Sequence, residues 1–306
     1  MADMYDVIII GSGPAGLAAA IYAQRAKLEM LIIEENYISG GQVVNTYEVD
    51  NYPGLPGING MDLGMKMREH AEKMGAQFAR AKVVEIQAEG DVKYVKTETE
   101  TYETKTVIFA AGAKHRTLDI PGEKEFTGMG VSYCATCDGA FFRNKVTAVI
   151  GGGDVAVEDA IFLARLCKKV YVIHRRDELR AAKILQDNLL ALDNVEMVWD
   201  SVAEEIRGEG VVKELAVKNV KTGETKNLAV DGVFVAVGIL PNSELLKDQV
   251  KTDRGGYLEA GEDGVTSIPG VFAAGDVRTK QLRQIITAAS DGANCVTSVQ
   301  EYLLTK

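Results

Sequence analysis

The chain has 306 residues, of which 46% are hydrophobic and 25% charged, a composition typical of a globular protein large enough for two domains. Its formal net charge of −10 argues against sequence-independent binding of nucleic acid, which needs a basic surface. No apolar run approaches the roughly 18 residues of a membrane span, so no membrane association is expected. Four cysteines are too few for a disulfide scaffold, and the N-terminus lacks a basic segment and a cleavage site. We therefore expect a mature cytoplasmic protein.

The first predicted elements form a βαβ unit. The stretch DVIIIGSGPAGLAAAIYAQRAKLEMLIIEEN reads as an apolar strand, a glycine-rich turn, an amphipathic helix and a second apolar strand. In this G-x-G-x-x-G pattern Gly11 allows the tight turn, Gly13 lets the backbone approach a pyrophosphate, and Gly16 lets the helix pack on the strand. Glu34 ends the second strand, where a carboxylate accepts hydrogen bonds from a ribose 2′-hydroxyl. The unit therefore predicts an adenosine nucleotide without a 2′-phosphate.

A pair of cysteines follows in the sequence SYCATCDGAFF. Cys134 and Cys137 have three interpretations: half of a zinc site, a structural disulfide, or a redox dithiol. Zinc needs four ligands, and the other two cysteines and three histidines do not have that spacing. A bond across two residues closes too small a loop to restrain the unfolded chain much. The C-x-x-C spacing favours a dithiol that cycles.

Asp138 follows the second cysteine directly. Its carboxyl group has two possible roles, which are compatible with each other. It can pass a proton to or from a departing thiolate, or it can cap the helix that begins at GAFF. The remaining cysteines, Cys167 and Cys295, lie within helical patterns and are expected to be core thiols.

The βαβ unit recurs at a constant offset of 140 residues. The stretch VTAVIGGGDVAVEDAIFLARLCKKVYVIHRRD begins at Val146 and aligns with the first copy without a gap. Gly151, Gly153 and Ala156 take the places of the three glycines of the first copy, which gives the pattern G-x-G-x-x-A. Two copies in the same strand–turn–helix–strand context indicate two dinucleotide sites.

The second copy ends differently from the first. His174 replaces the acidic residue, and Arg175, Arg176 and Arg180 follow in the sequence HRRDELR. Guanidinium groups pair with a 2′-phosphate, which a carboxylate would repel. The second copy therefore predicts a site for NADP, although a solvated basic start of a helix is an alternative.

Each copy is followed by a similar set of strands. TVIFAAGA (106–113) and GVFVAVGI (232–239) are apolar strands, preceded by hairpin turns near 88–92, 207–211 and 221–225. Each half is therefore predicted to be a Rossmann-like unit that carries a small antiparallel β-meander. A later strand at 270–276 has no counterpart in the second half, and an amphipathic helix follows it over 283–303.

The expected fold is α/β, with two Rossmann-like dinucleotide-binding domains and the second inserted into the first. A hydride transfers two electrons at once, so a dithiol that is reduced by NADPH needs a mediator, and FAD suits the Glu34 site. The predicted FAD-binding domain comprises residues 1–113 and 244–306. The NADPH-binding domain, residues 114–243, carries the dithiol.

The sequence resembles the low-molecular-weight thioredoxin reductases of bacteria over essentially the whole chain. This resemblance implies a homodimer with one FAD per subunit, NADPH as electron donor and thioredoxin as acceptor. The stretches that carry it are GSGPAG (11–16), GGQVVNTYEVDNYPG (40–54), SYCATCDGAFF (132–142), GGGDVAVEDA (151–160), HRRDELRA (174–181), GDV (275–277) and RQIITAASDGA (283–293).

The resemblance and the motifs together give the candidate site residues, with no metal site. The catalytic candidates are Cys134, Cys137 and Asp138. The FAD-binding candidates are Gly11, Ser12, Gly13, Pro14, Ala15, Glu34, Glu35, Gly41, Gln42, Asn51, Gly112, Asp276, Arg283, Gln284 and Ile285. The NADPH-binding candidates are Gly151, Gly153, Asp154, Val155, His174, Arg175, Arg176 and Arg180.

The resemblance also assigns individual roles. Cys137 is implied to face the flavin and Cys134 to attack the partner disulfide. Phe141 and Phe142 are implied to form part of the thioredoxin-docking surface, with plain core residues as the alternative. Val155 departs from the small polar residue usual in the family. Because valine donates no side-chain hydrogen bond to a phosphate, we expect NADPH binding to be weaker by ~1 kcal/mol at most.

One static arrangement can hardly bring both the nicotinamide and the dithiol to one flavin, so we expect the inserted domain to rotate about the two chain crossings. The alternatives within this fold are a flavin-dependent dithiol oxidase and an FAD-binding redox sensor. The arginines argue against the oxidase. A hydroperoxide reductase usually has an added N-terminal segment, and a ferredoxin–NADP reductase-like enzyme would lack the cysteine pair.

Overall fold

The computed structural model describes residues 4–46, 49 and 51–306. Residues 1–3, and Tyr47, Glu48 and Asp50 within the stretch 40–54, lie outside the described residues. The chain divides into two compact units. The first comprises Met1–Val44, Tyr52–Lys114 and Leu240–Lys306, and the second comprises Asn45–Asn51 and His115–Ile239. The short segment Asn45–Asn51 therefore groups with the second unit, whereas the predicted boundaries place it with the first.

The elements are given in chain order. Up to the first crossing they are β1 (Tyr5–Ile10), α1 (Pro14–Arg25), β2 (Met30–Glu34), α2 (Gly60–Lys73), β3 (Gln77–Arg80), β4 (Val83–Gln87), β5 (Lys93–Thr97), β6 (Thr101–Phe109) and β7 (Ala113–His115). Then follow β8 (Val131–Ser132), α3 (Ala135–Asp138), β9 (Val146–Gly151), α4 (Asp154–Ala164), β10 (Lys169–Ile173), α5 (Lys183–Leu190), β11 (Val195–Val198), β12 (Ser201–Glu209), β13 (Val211–Asn219), β14 (Thr225–Ala229), β15 (Gly232–Ala236) and β16 (Ile239–Pro241). The last are β17 (Val271–Ala273) and α6 (Ile285–Leu304), with 3₁₀ turns at Gly41–Asn45, Gly139–Phe142 and Gly275–Val277.

The first unit is built on a mixed sheet in the order β3-β2-β1-β6-β5-β4, and β17 also pairs with β6. Strand β1 lies parallel to both β2 and β6, with Ile9 opposite Ile32 on one side and Ile108 on the other. Strands that are buried on both faces have continuous apolar sequences, which explains the run of one valine and three isoleucines over Val7–Ile10 in β1. Strands β4, β5 and β6 are antiparallel and form the predicted meander.

The second unit repeats this plan. Five parallel strands form a sheet in the order β11-β10-β9-β15-β8, and β12, β13 and β14 form a separate antiparallel meander. The predicted hairpin turns fall between β4 and β5, β12 and β13, and β13 and β14. The predicted late strand and the following helix are β17 and α6. These elements confirm the predicted fold class of two Rossmann-like units, each with a small meander.

Two further features concern the chain path and the environment. The boundaries of the two units fall within β7 and β16, which pair with each other.

Within the described part of the chain, no helix is both long and apolar enough to cross a membrane.

A buried ion cluster fixes the C-terminal helix of the first unit to the turn before it. The Asp291 carboxylate of α6 accepts two N–H donors from Arg278, at 2.9 and 2.6 Å. It also accepts Lys280 Nζ at 2.8 Å and the backbone N–H of Gly275 at 2.9 Å. The side chains of Asp291 and Lys280 are 5% exposed and that of Arg278 is 7% exposed. The cluster therefore holds the 3₁₀ turn Gly275–Val277 in place.

Substitution of Asp291 tests this cluster. In an Asp291→Asn variant the buried charges of Arg278 and Lys280 lose their counter-ion, so we expect the free energy of unfolding to fall by about 3–5 kcal/mol. Denaturant unfolding measures the change. Glu69→Gln is the control, because Glu69 pairs with Lys73 on an exposed helix surface and no measurable loss is expected. An Asp291→Asn variant as stable as the wild type would contradict the role given to the cluster.

Candidate active site

The two cysteines of the C-x-x-C motif form a disulfide. Cys134 and Cys137 are bonded, with their Cα atoms 5.3 Å apart. Cys134 occupies the N-cap position of the short helix α3, and both residues are half-buried. The pair therefore lies in a loop that leaves the sheet at β8 and turns at once into a helix. By contrast, Cys167 and Cys295 are buried free thiols, which confirms their prediction as core residues.

The Asp138 carboxyl group has two oxygens in different environments. Its Oδ2 accepts a hydrogen bond from Ser132 Oγ at 2.6 Å. Its Oδ1 is shielded from solvent and has no hydrogen-bond partner among the described residues. Burial raises the pKa of Asp138, and the hydrogen bond from Ser132 opposes that shift. The side chain forms no cap for the turn Gly139–Phe142, so the capping role is wrong, and the proton-transfer role stays a prediction.

The two phenylalanines after the motif differ in exposure. Phe142 is buried, and its ring meets the Phe234 ring edge-on with 5.2 Å between the ring centroids. A Cβ at Gly232 would lie 2.2 Å from the Phe142 ring, so the ring packs directly on the backbone of β15. The core alternative is therefore confirmed for Phe142. Phe141 is half-buried, and its docking role stays a prediction.

The first glycine turn leaves no room for side chains at two of its three glycines. A Cβ at Gly11 would lie 2.5 Å from Ala110 O, and a Cβ at Gly16 would lie 1.9 Å from Gly11 O. A Cβ at Gly13 would come no closer than 4.0 Å, to Gly41 Cα. Close packing of the helix on the strand thus explains the first and third glycines. The second glycine lies against open space, as a site for a phosphate requires.

The residues that follow complete the start of α1. Pro14 and Ala15 are its first two residues, and proline suits the first helical position because no intrahelical bond is needed there. Ser12 is buried, and its carbonyl accepts the N–H of Gly40 at 2.8 Å. The residue that precedes the candidate Gly41 is therefore bonded to the glycine turn, and the role of Gly41 in binding a flavin stays a prediction.

Glu34 lies at the turn, and protein donors surround it. Its Oε2 accepts the N–H and the hydroxyl of Ser12, at 2.8 and 2.9 Å. Its Oε1 accepts the backbone and side-chain N–H groups of Asn36, both at 2.8 Å. A carboxylate offers about four acceptor positions, so a ribose hydroxyl that binds Glu34 has to replace one of these donors. Glu35, also a candidate, is exposed.

A second group of candidates adjoins the same turn. A Cβ at Gly275 would lie 3.0 Å from the Cβ of Ala15, so the 3₁₀ turn that carries Asp276 packs against the start of α1. Asp276 Oδ1 is shielded from solvent without a hydrogen-bond partner among residues 4–46, 49 and 51–306. Burial raises the pKa of Asp276, and the positive charges of Lys280 and Arg283 oppose the rise.

The start of α6 supplies the remaining candidates of this group. Arg283 stacks on the Tyr257 ring, with its guanidinium carbon 4.0 Å from the ring centroid. Its Nε is buried and has no partner in the described structure. Gln284 forms a capping box with Thr287, and Ile285 is the first residue of the helix. Among the residues that the structure describes, Asp276 and Arg283 thus leave a carboxylate oxygen and an N–H group without partners.

Two further candidates lie near the end of β6, and one lies elsewhere. Gln42 Nε2 donates to Ala113 O at 2.5 Å, next to Gly112, whose φ of 67° is in the left-handed region. Asn51 belongs to the segment that groups with the second unit, so the first unit does not contain it together with the other candidates.

The second glycine turn repeats the geometry of the first. A Cβ at Gly151 would lie 2.5 Å from Ala236 O, whereas a Cβ at Gly153 would have no described heavy atom within 4 Å. Asp154 begins α4, and its Oδ1 accepts the N–H of Ala182 at 2.7 Å, so it holds the loop that follows β10. Val155, the next residue, is 57% exposed.

The arginines of the second copy lie beside this turn. The backbone N–H of Arg180 donates to Gly152 O at 2.7 Å, and the side chains of Arg175, Arg176 and Arg180 are exposed. They occupy a loop that ends before α5, so the alternative of a basic helix start is wrong. His174 is buried, with its ring over Gly152.

His174 presents a further unpartnered group. Its Nε2 has no hydrogen-bond partner among the described residues, and burial lowers the pKa of the imidazole. The second unit therefore combines an open glycine turn, exposed guanidinium groups and an imidazole nitrogen without a partner. This donor set suits a phosphorylated nicotinamide dinucleotide.

The first unit offers a different set of groups. It combines an open glycine at a helix N-terminus with a carboxylate oxygen and a guanidinium N–H group that have no partner in the described part of the chain. The N–H groups and Arg283 suit a pyrophosphate, and Asp276 suits the hydroxyl groups of a sugar or polyol chain. These residues fit a flavin dinucleotide.

The sequence analysis missed three polar groups that shape these sites. They are Ser132 beside Asp138, Asn36 beside Glu34, and the ion cluster around Asp291. The spacing of Ser132 to Cys134 is that of a serine turn, in which the hydroxyl bonds a backbone N–H two residues later. Asn36 lies two residues after Glu34, so its contact is also local, whereas the ion cluster around Asp291 has no comparable local signal.

Known proteins are similar to this chain in sequence and in fold. The family model for pyridine nucleotide-disulphide oxidoreductases matches residues 5–292. A thioredoxin reductase of Bacillus subtilis is 46% identical over 301 residues, which are 98% of this chain and 95% of that protein. The crystal structure of thioredoxin reductase from Streptococcus pyogenes is 51% identical and superposes with a TM-score of 0.94, with 99% of each chain covered. A Lactococcus lactis thioredoxin reductase structure in the FR conformation is 46% identical, with a TM-score of 0.69 over 99% of this chain and 100% of that one.

Substitution of Gly153 tests the second glycine turn. Aspartate suits this helix N-cap position and meets no described atom, so a Gly153→Asp variant is expected to fold normally. Its carboxylate would repel the phosphates of the dinucleotide, and we expect the dissociation constant for NADPH to rise at least about tenfold. Titration calorimetry measures it. Gly153→Asn is the uncharged control of the same size. Unchanged NADPH affinity in the aspartate variant would contradict the assignment.

Proposed function

The chain belongs to the pyridine nucleotide-disulphide oxidoreductase family, and from that premise we propose that it is an NADPH-dependent, FAD-containing thioredoxin reductase. The observation that carries the proposal is the Cys134–Cys137 disulfide. The next residue, Asp138, has a carboxyl oxygen, Oδ1, without a partner among the described residues. Relatives that cover almost the whole chain at 46–51% identity are thioredoxin reductases. The redox disulfide, the family and these relatives make the chain a disulfide oxidoreductase.

The proposal assigns one cofactor to each glycine turn. Residues 1–113 and 244–306 would form the FAD-binding domain, and residues 114–243 would form the NADPH-binding domain. Asp276 and Arg283 would bind the polyol and phosphate groups of FAD, and Arg175, Arg176 and Arg180 would bind the 2′-phosphate of NADPH. A flavin held there would supply an acceptor for hydride from reduced nicotinamide and a two-electron donor to a disulfide.

The reduced cysteine pair then transfers its electrons to thioredoxin in two exchanges. The Cys134 thiolate attacks one sulfur of the thioredoxin disulfide, and a mixed disulfide forms. The other thioredoxin sulfur departs as a thiolate and takes up a proton from Asp138. Asp138 recovers a proton from the Cys137 thiol. The Cys137 thiolate attacks Cys134 Sγ, which re-forms the Cys134–Cys137 bond and releases the second thioredoxin sulfur with a proton from solvent. Thioredoxin gains two electrons and the pair loses two.

The dithiol and the NADPH site belong to the same unit, and both have to exchange electrons with a flavin held by the other. We therefore include rotation of the NADPH-binding domain between two states in the proposal. The crystal structure of Lactococcus lactis thioredoxin reductase is of an FR conformation, so a particular conformational state is named for a relative. An engineered crosslink that locks the two units is expected to stop turnover.

The remaining parts of the proposal rest on the family resemblance. They are thioredoxin as the acceptor, a homodimer as the assembly and the cytoplasm as the location. A flavin-dependent dithiol oxidase and an FAD-binding redox sensor are the alternatives of the same fold. The exposed arginines beside the second glycine turn favour a nicotinamide-phosphate donor over the oxidase.

Replacement of either sulfur tests the path of the electrons. We expect Cys134→Ser and Cys137→Ser each to abolish NADPH-dependent reduction of thioredoxin, because the first exchange uses Cys134 and the second uses Cys137, so the two-electron cycle cannot be completed with one sulfur. NADPH-dependent reduction of ferricyanide, which accepts electrons from the flavin directly, should persist in both variants. Absorbance at the NADPH band measures both rates. Thioredoxin reduction that survives either substitution would overturn the proposed path.

Replacement of the arginines tests the choice of donor. In an Arg175→Ala/Arg176→Ala variant we expect the preference in kcat/KM for NADPH over NADH to fall at least about tenfold, because the lost ion pairs involve only the 2′-phosphate. Arg207→Ala is the control, since Arg207 is an exposed arginine of the meander in the same unit and pairs with Glu205. A preference that is unaffected in the double variant would show that the 2′-phosphate binds elsewhere.

A further inference from the structure

The Ser132 hydroxyl joins the two ends of the redox loop. Its oxygen accepts the backbone N–H of Cys134 at 3.1 Å and lies 2.6 Å from Asp138 Oδ2, to which it donates. It also lies 3.3 Å from Cys134 O, which accepts the N–H of Asp138 at 3.1 Å. One side chain therefore contacts the residue that opens the loop and the residue that closes it.

Ser132 is itself fixed by the sheet. It is the last residue of β8, where it lies opposite Phe234 of β15, and it is 5% exposed. A β-strand residue in a parallel sheet has little freedom, and a buried serine hydroxyl has few alternative partners. The sheet therefore fixes the Ser132 hydroxyl and, through it, the position of one carboxyl oxygen of Asp138.

The two oxygens of Asp138 are made inequivalent by this contact. Oδ2 receives the Ser132 hydroxyl proton, and Oδ1 has no hydrogen-bond partner among the described residues. A proton on Oδ2 would compete with the serine donor, whereas a proton on Oδ1 would not. The exchangeable proton of Asp138 is therefore directed to Oδ1.

The described elements that pack against α3 show which other groups could interact with Asp138. Helix α4 and the turn Gly139–Phe142 pack against α3. The turn has no titratable side chain, and the titratable groups of α4 are acidic: Asp154, Glu158 and Asp159. Burial is the main cause that raises the pKa of Asp159 to about 7, and the negative charge of Glu158 adds to it. No cation of these elements draws Asp138 towards the ionised form, which leaves Ser132 as its donor.

We propose that Ser132 is a positioning residue for the redox step: it holds Asp138 Oδ2 so that the proton exchanged with the cysteine pair is carried on Oδ1. This role rests on the proposed function and adds a residue to it. During the first exchange the proton leaves Oδ1 for the departing thioredoxin sulfur, and Ser132 continues to donate to Oδ2. The carboxylate then takes a proton back from Cys137 on the same oxygen.

The test compares Ser132→Ala with Ser132→Thr in the FAD-loaded enzyme. In the alanine variant Asp138 loses the donor that lowers its pKa, so the limb of the kcat–pH profile set by Asp138 moves to higher pH. We expect kcat at neutral pH to fall at least about tenfold because a proton donor is misplaced, while KM for thioredoxin is unchanged. The threonine variant keeps the hydroxyl and is expected to restore the wild-type pH profile.

Ser201→Ala is the matched control. Ser201 is a buried serine of the same unit whose hydroxyl donates to a backbone carbonyl, that of Trp199 at 2.7 Å. Its replacement is expected to reduce stability without any change in the pH profile. If Ser132→Ala does not fold, Ser132→Thr and Ser132→Val form the second pair, since they have the same shape and differ in the hydroxyl.

The outcomes separate the two proposals. A wild-type enzyme that does not reduce thioredoxin with NADPH would contradict the proposed function. A wild-type enzyme that does so, together with a Ser132→Ala variant of unchanged kcat and pH profile, would overturn the positioning role alone. Equal activity and equal pH profiles of the threonine and valine variants would also overturn it.

Discussion

Both glycine turns depend on the same steric constraint, which is the close approach of two backbones at the end of a strand. A Cβ at Gly11 would lie 2.5 Å from Ala110 O, and a Cβ at Gly151 would lie 2.5 Å from Ala236 O. Since the clash is between backbone atoms, no side-chain rearrangement relieves it. The helix that follows can then begin directly at the strand end, with its N–H groups directed at the site. The constraint recurs in both copies although one ends in Gly16 and the other in Ala156.

The second unit places two functions on one edge of its sheet. Strand β8 leads into the dithiol loop and β9 leads into the glycine turn, and β15 lies between them and pairs with both in parallel. Parallel strands present their carboxyl ends at the same edge, which is where such sheets bind ligands. The dithiol and the dinucleotide turn therefore share a rigid support. A movement of this unit as a whole would move both together.

The sequence analysis predicted correctly those features that depend on local pattern. The two glycine turns, the hairpins and the late strand each follow from residues adjacent in the chain. The helix-capping role considered for Asp138 is wrong, and so is the basic helix start that was the alternative to an NADP site, because only the fold shows where each side chain points.

The features that the sequence analysis missed depend on residues brought together by packing. Asp291 meets Arg278 and Lys280 only after α6 has docked on the turn before it. Ser12 donates to Glu34 for a similar reason, since β2 must first lie beside β1. Asn36 lies only two residues after Glu34, so its contact could have been predicted from that spacing.

The central claim about the chemistry is that the cysteine pair exchanges electrons with NADPH through a bound flavin. An anaerobic titration with NADPH, followed at the flavin absorbance near ~450 nm, tests it most directly. The wild-type enzyme should take up about two equivalents per flavin and a variant without both sulfurs about one, since each couple accepts two electrons. Equal uptake by the two proteins, or a purified protein that binds no flavin, would contradict the claim.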